Sequence, residues 1–267
     1  MNRYKDLISA MGYPVAARAS GARIASLFET FDAPPGWYGY PPALIPLLSD
    51  GSLPSYLGLW KHWFIAREPS FATLSVSDDH RTDEIARTEG QLSEWLVAKL
   101  IVAADEVSDD VRDLANALDV SDLAAIDQVT VETGDEAKGL AKLPAFATNT
   151  PLASADIATY DGGFAVPGRE DGAYRCYFDY NPEVIQTIPD HPEWLHPQSD
   201  KPALFRQYFD RGEFGPAWLT LNGTGWLFTE AALALEQLAG APPAAEGLFK
   251  QMAEIWIAQA KDYPGGY

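Results

Sequence analysis

The chain reads as an α+β protein: an antiparallel sheet with helices packed against it, in one or two lobes. Three observations predict this. Two aromatic or alternating runs, 55–65 and 71–76, flank a short turn and read as a strand pair. Helical periodicities cluster at 88–122 and again at 229–260. Strands and helices do not alternate, which argues against a parallel βαβ sheet.

Residues 4–11 read as a short helix, and 15–31 as a second with Ile24, Leu27, Phe28 and Phe31 on one face. Asp32-Ala33-Pro34-Pro35-Gly36 ends it, and Trp37-Tyr38-Gly39-Tyr40-Pro41-Pro42 is extended because proline restricts itself and its predecessor. Ala43 to Leu48 is apolar and closes in the turn residues Ser49-Asp50-Gly51-Ser52. Tyr56, Trp60, Trp63 and Phe64 give 55–65 the aromatic content of a strand. Phe71 to Val76 alternates, and Arg67-Glu68-Pro69-Ser70 is the turn between the two. The charged run Ser77–Arg87 is expected to be a loop.

Thr88–Asp105 reads as a helix, with Leu92, Trp95, Leu96, Leu100 and Ala103 in period and Lys99 the lapse. Ser108-Asp109-Asp110 is a helix start, because serine accepts backbone N–H bonds and the acids suit the positive helix end; that helix runs to about Leu118. Ser121-Asp122 caps a third. Residues 128–133, Gln-Val-Thr-Val-Glu-Thr, favour a strand by β-branched content. The weakly periodic stretch 134–167 is the expected lobe boundary, dividing the chain into 1–130 and 131–267. Further strands are expected at Tyr174–Tyr180 and in a hairpin, Ala217–Leu221 and Thr224–Phe228 around Asn222-Gly223, the preferred two-residue turn. Between these two, 182–201 reads as loop and 202–211 as helix. Helices from Thr229 to Leu238 and from Ala245 to Ala260 close the chain, the last with Leu248, Met252, Ile255 and Trp256 on one face.

Charge narrows the function. The 267 residues carry 38 Asp and Glu against 19 Lys and Arg, a formal net charge of -19. Such a polyanion is repelled by phosphates, which argues against binding nucleic acid or an anionic membrane. It attracts a basic protein partner over a distance. The one cysteine, Cys176, excludes an intrachain disulfide, suits a reducing cytoplasm and sits in an aromatic run as a buried structural thiol. No signal peptide or membrane span is expected.

Chemistry-bearing clusters are few. His191 and His196 lie near Asp190 and Glu193, but Pro192 breaks the helix that would fix their spacing, so a structured proline-rich loop is expected and no metal or other cofactor. Ser77–Glu84 sets carboxylates beside His80, the raw material of general acid–base catalysis and equally of a solvated loop. Walker, nucleophile-elbow and dinucleotide-binding motifs are missing from the sequence. No catalytic residue is assigned. Eight Trp and twelve Tyr supply interface anchors as well as core, and Trp37, Tyr38, Tyr40, Tyr56, Trp60 and Trp63 are close in sequence. Asp105, Glu106, Asp109, Asp110, Asp113, Asp119 and Asp122 make an acidic helical face.

Ala43-Leu44-Ile45-Pro46-Leu47-Leu48-Ser49-Asp50-Gly51, the aromatic strand after it, and Glu89-Gly90-Gln91-Leu92-Ser93-Glu94-Trp95-Leu96 together resemble the SUKH superfamily, which includes many bacterial immunity proteins and regulators of fungal cell-wall synthesis. The resemblance spans about residues 40–102. Pro34-Pro35-Gly36-Trp37 stands where the family carries Asn-Gly-Gly. The likeness implies an α+β fold, no catalysis and inhibition of a toxin by direct binding. The expected function is therefore a cytoplasmic immunity protein. Its partner surface would use Trp37, Tyr38, Tyr40, Trp60 and Trp63 as anchors, with Asp105, Glu106, Asp109, Asp110 and Asp113 steering a basic toxin. The alternative from another class is an acidic hydrolase or carbohydrate-active enzyme, with Asp78, Asp79, Asp161 and Asp179 as candidate carboxylates and tryptophans stacking on sugar.

Overall fold

A computed structural model describes residues 3–15, 18–19, 29–30, 39–49, 55–134, 137–156, 158–163, 192–241 and 247–267. The predicted strand 174–180 lies outside them, as do most of the predicted helix 15–31 and the residues Trp37, Tyr38, Cys176, Asp179, Asp190 and His191.

The fold is α+β. Helix α1 (Arg3–Ala10) comes first, and helical backbone recurs at residues 15, 18 and 19. Five strands follow: β1 (Glu29–Thr30), β2 (Leu44–Ser49), β3 (Ser55–Trp60), β4 (Ser70–Ser75) and β5 (Arg81–Ala86). They form one antiparallel meander in chain order. Pro46 in β2 has no N–H for a ladder, and the register slips there by a bulge between Pro46 and Leu48. Opposite it, Gly58 lies so close to β2 that a Cβ would stand 2.7 Å from the Ile45 carbonyl oxygen, so only glycine fits.

Strand β5 corrects the expected loop at 77–87. Asp79 and His80 both take left-handed φ, 46° and 59°, and Arg81 N–H donates to Asp78 C=O at 2.7 Å. This is a primed hairpin turn without the usual Asn-Gly. Charge hid the strand, since Arg81 and Asp83 point one way while Thr82 and Glu84 are buried on the other.

Helix α2 (Glu89–Ala104) packs on β5 and begins where Thr88 accepts the Gln91 N–H. Helices α3 (Asp109–Ala117) and α4 (Leu123–Thr133) pack on α2, capped by Ser108 and Asp122 as their sequences imply. The strand expected at 128–133 is the end of α4. Ile126, Val129 and Thr130 recur at helical spacing and are buried, and this tertiary packing overrides local β preference. A short α5 (Ala137–Leu140) and irregular chain to residue 163 follow.

The C-terminal part is helical: α6 (Lys201–Asp210), α7 (Phe214–Leu221), α8 (Phe228–Gly240) and α9 (Gly247–Ala260), with α6 against α7 and α8 against α9. The expected hairpin at 217–228 is absent. Residues 215–221 are buried throughout, and a helix apolar all round has no stripe to read. Asn222 ends that helix instead of turning a hairpin. Its Nδ2 donates to Trp218 C=O at 2.7 Å and its Oδ1 accepts the Ala43 N–H at 2.6 Å, joining the helices to the start of β2. Helix α1 packs on α9, so one apolar core runs from the sheet into the C-terminal helices. Among the described residues no helix is long and apolar enough to cross a membrane.

Candidate functional site

The predicted acidic face forms at the α2–α3 corner. Asp105 ends α2 in the left-handed region, φ 57°, and turns the chain through Glu106 to the cap Ser108. Asp109 and Asp110 then stand in the first turn of α3, where the helix dipole favours negative charge. Val111, Leu114 and Ala115 face inward, so Asp109 and Asp113 face water. The Asp109 side chain is 98% exposed and meets Arg112 at 3.0 Å, an exposed pair worth little. Asp119 pairs with Arg18. Deeper in, burial, followed by the charge of Asp122, pushes the Glu94 carboxyl above its ordinary range.

The predicted aromatic anchors behave otherwise. Tyr40 and Trp60 are 3% and 1% exposed, and Tyr56 packs edge-on against Tyr40 at 5.3 Å. These rings belong to the core, and no partner reaches them without unfolding the sheet. Trp63 is half-buried, tilted against Phe249 at 5.5 Å with Lys61 Nζ 4.7 Å over its face. It sits against α9, whereas the acidic corner belongs to α2 and α3. The structure does not bring anchors and acids into one described cluster.

Two buried polar nodes brace the sheet. Glu84, wholly buried, accepts from Arg67 Nη2 at 3.0 Å, from Tyr160 OH at 2.6 Å and from the Leu152 N–H at 2.9 Å. This ties the 151–160 segment to β5. Burial, and next the charge of Glu84, holds the Tyr160 phenol far above its ordinary range. His62 lies between two indoles, Trp60 Nε1 3.3 Å from its Nε2 and Trp218 Nε1 3.2 Å from its Nδ1, and its one acceptor nitrogen takes one of them at a time. Burial, aided by Arg67 and Lys61, lowers its pKa well below the usual histidine value.

A polar groove of about 300 Å³ opens on the sheet, lined by Ser55, Thr73, Leu74, Ser75, Asp78, Arg81 and Asp83. Register builds it. Ser55, Ser75 and Arg81 are cross-strand neighbours in one row, with Thr73 and Asp83 paired in the next. Of these residues the sequence pointed to Asp78 as a candidate carboxylate, and to Asp83 only within the charged run Ser77–Glu84. The outward alternation Arg81–Asp83 was the available signal, masked by its reading as a loop. The other candidate carboxylates are scattered: Asp79 is exposed in the hairpin turn, and Asp161 pairs with Arg87. His80 is partly buried, and burial lowers its pKa against the opposing charge of Asp79. His196 contributes its carbonyl to the buried Lys201 ammonium at 2.8 Å, and burial lowers that amine to about 8. Among the described residues no three His, Cys, Asp or Glu side chains are grouped to hold a metal ion.

The arrangement supplies hydrogen-bond acceptors and negative potential at two places, the corner and the groove. Comparisons with protein families, with curated proteins and with solved structures find no match.

Proposed function

We propose that this chain is a cytoplasmic, non-catalytic binding protein of the immunity type, which neutralises a basic protein toxin by covering it. The observation that carries this reading is the α2–α3 corner. Asp105, Glu106, Asp109 and Asp113 are exposed there in one short stretch of chain, with Arg112 as the neighbouring cation. A chain of net charge -19 sums to a long-range field, and a projecting acidic corner is where that field meets a cation first. The resemblance of residues 40–102 to SUKH proteins supports the same class. The contact surface rests on the acidic corner and not on Tyr40 and Trp60, which are core.

The test is association kinetics with the product of the neighbouring gene, and a neighbour that encodes no basic, toxin-like protein counts against the reading. Steered association slows steeply as salt rises, and the double substitution Asp109→Lys with Asp113→Lys slows it further while leaving the fold intact. An on-rate indifferent both to salt and to that substitution refutes the reading.

A further inference from the structure

We infer that the sheet-face groove seats one cationic side chain, an arginine guanidinium or a lysine ammonium. That it belongs to a protein partner rests on the function proposed above; the chemistry of the groove does not.

The groove's polar groups carry the inference. Asp78 lies at the first position of the Asp78–Arg81 turn, exposed at the rim of the groove, and its carboxylate has no hydrogen-bond or ion-pair partner among the described residues. The Thr73 and Ser55 hydroxyls also make no side-chain bond there. Ser75 Oγ shares a 3.3 Å bond with Ser77 Oγ. Arg81 Nε donates to Asp83 Oδ2 at 3.1 Å, so the cation within the groove is matched by its own carboxylate. That leaves Asp78 as the unmatched charge, with hydroxyl oxygens around it.

A carboxylate offers acceptors only, and a hydroxyl offers two lone pairs. The complementary ligand is therefore rich in N–H donors and positively charged. The volume, about 300 Å³, is roughly ten water molecules' share, enough for a guanidinium on its methylene stem with some water retained. An anion meets two carboxylates, Asp78 and Asp83, against one guanidinium, Arg81, which is already held by Asp83. A neutral sugar finds acceptors here but no aromatic platform among the lining residues.

The probe is Nα-acetyl-arginine methylamide, titrated into the ¹⁵N-labelled wild-type protein in the millimolar range expected for one side chain. The expected result is saturable shifts at the Ser55, Thr73, Ser75 and Arg81 amides. Asp78→Asn, in an exposed turn, weakens this binding roughly fivefold, the size of an exposed charge pair. Thr73→Val, which keeps shape and removes the hydroxyl, weakens it less. Absent shifts overturn the inference, as do equal shifts with the norleucine analogue. Shifts produced by methyl glucoside and not by the arginine probe also overturn it and make the groove a sugar site. The two readings fail separately. A basic partner whose affinity falls on corner substitution but not with Asp78→Asn overturns the groove alone. Arginine seated in the groove of a protein indifferent to basic partners upholds the groove and overturns the proposed function.

Discussion

Substitution of His62 by phenylalanine should remove a defined part of the acid sensitivity of this fold. His62 lies between two indole N–H groups, one from Trp60 in β3 and one from Trp218 in α7. A neutral imidazole has one lone pair to offer, so it accepts from one indole at a time; a protonated ring has none. Burial adds the cost of a charge in an apolar setting, and the nearby cations Arg67 and Lys61 oppose protonation further. The folded pKa therefore lies well below 6.5. Above pH 6.5 the ring is neutral both folded and unfolded and pH has no effect through it. Below 6.5 the unfolded chain takes up a proton that the folded chain refuses, so stability falls as pH falls, until the depressed folded pKa is reached. One pH unit below 6.5 the loss is about 1.4 kcal/mol, and each further unit costs about the same.

Urea unfolding followed by tryptophan fluorescence, at pH 7.5, 6.5 and 5.5, measures this on wild type and on His62→Phe. The variant is destabilised by about 1 kcal/mol at pH 7.5 through the lost indole bond. That gap should close or reverse by pH 5.5. Taking the difference between the two proteins cancels His80, whose lowered pKa acts in the same direction. His62→Gln, which keeps an acceptor, serves if phenylalanine does not fit. A gap that stays constant across the three pH values refutes the argument.

Two more outcomes follow from other buried polar side chains, Glu84 and Asn222. Glu84→Leu takes the carboxylate from the buried Arg67 guanidinium, leaving it the Tyr160 hydroxyl at 3.0 Å, and takes the acceptor from the Leu152 N–H, and it should cost about 3–5 kcal/mol in denaturant unfolding; exchanging Arg67 and Glu84 together for apolar residues should recover much of it. Asn222→Ala removes both bonds that join α7 to the start of β2 and should cost about 2–4 kcal/mol, with faster amide exchange at Ala43 as its local signature.

Much of the fold was legible where one stretch of chain decides its own structure. Ser108 and Asp122 announced helix starts because a cap needs only a side-chain oxygen and an N–H three residues away, and Thr88, read as the first helical residue, is the cap of its helix. The strand pair followed from alternation and a turn, although its first strand ends at Trp60 and not at 65, and Ser70 belongs to the second strand and not to the turn. The acidic corner was legible too, since an Asp-rich helix N-terminus tends to be solvated.

Elsewhere local signals misled for identifiable reasons. Asn222-Gly223 is the strongest hairpin signal in the chain, yet it ends a helix because the asparagine's acceptor is used by Ala43, 179 residues away in sequence. The true primed turn uses Asp79-His80, which tolerate left-handed φ at greater cost than Asn-Gly. Gln128 to Thr133 prefers extended backbone by composition, but burying Ile126, Val129 and Thr130 against neighbouring elements outweighs that preference.

The sequence by itself determined the class of fold, the helix caps Ser108 and Asp122 and the net negative charge, because each depends on composition or on neighbours a few residues apart. Only the tertiary structure decided that Tyr40 and Trp60 are core, that Arg81 and Asp83 share a groove with Thr73, and that Glu84 is sealed beneath them. Burial and cross-strand register are properties of surfaces that meet from distant parts of the chain. An aromatic ring or a carboxylate carries no local mark of which side of its strand the rest of the molecule will cover.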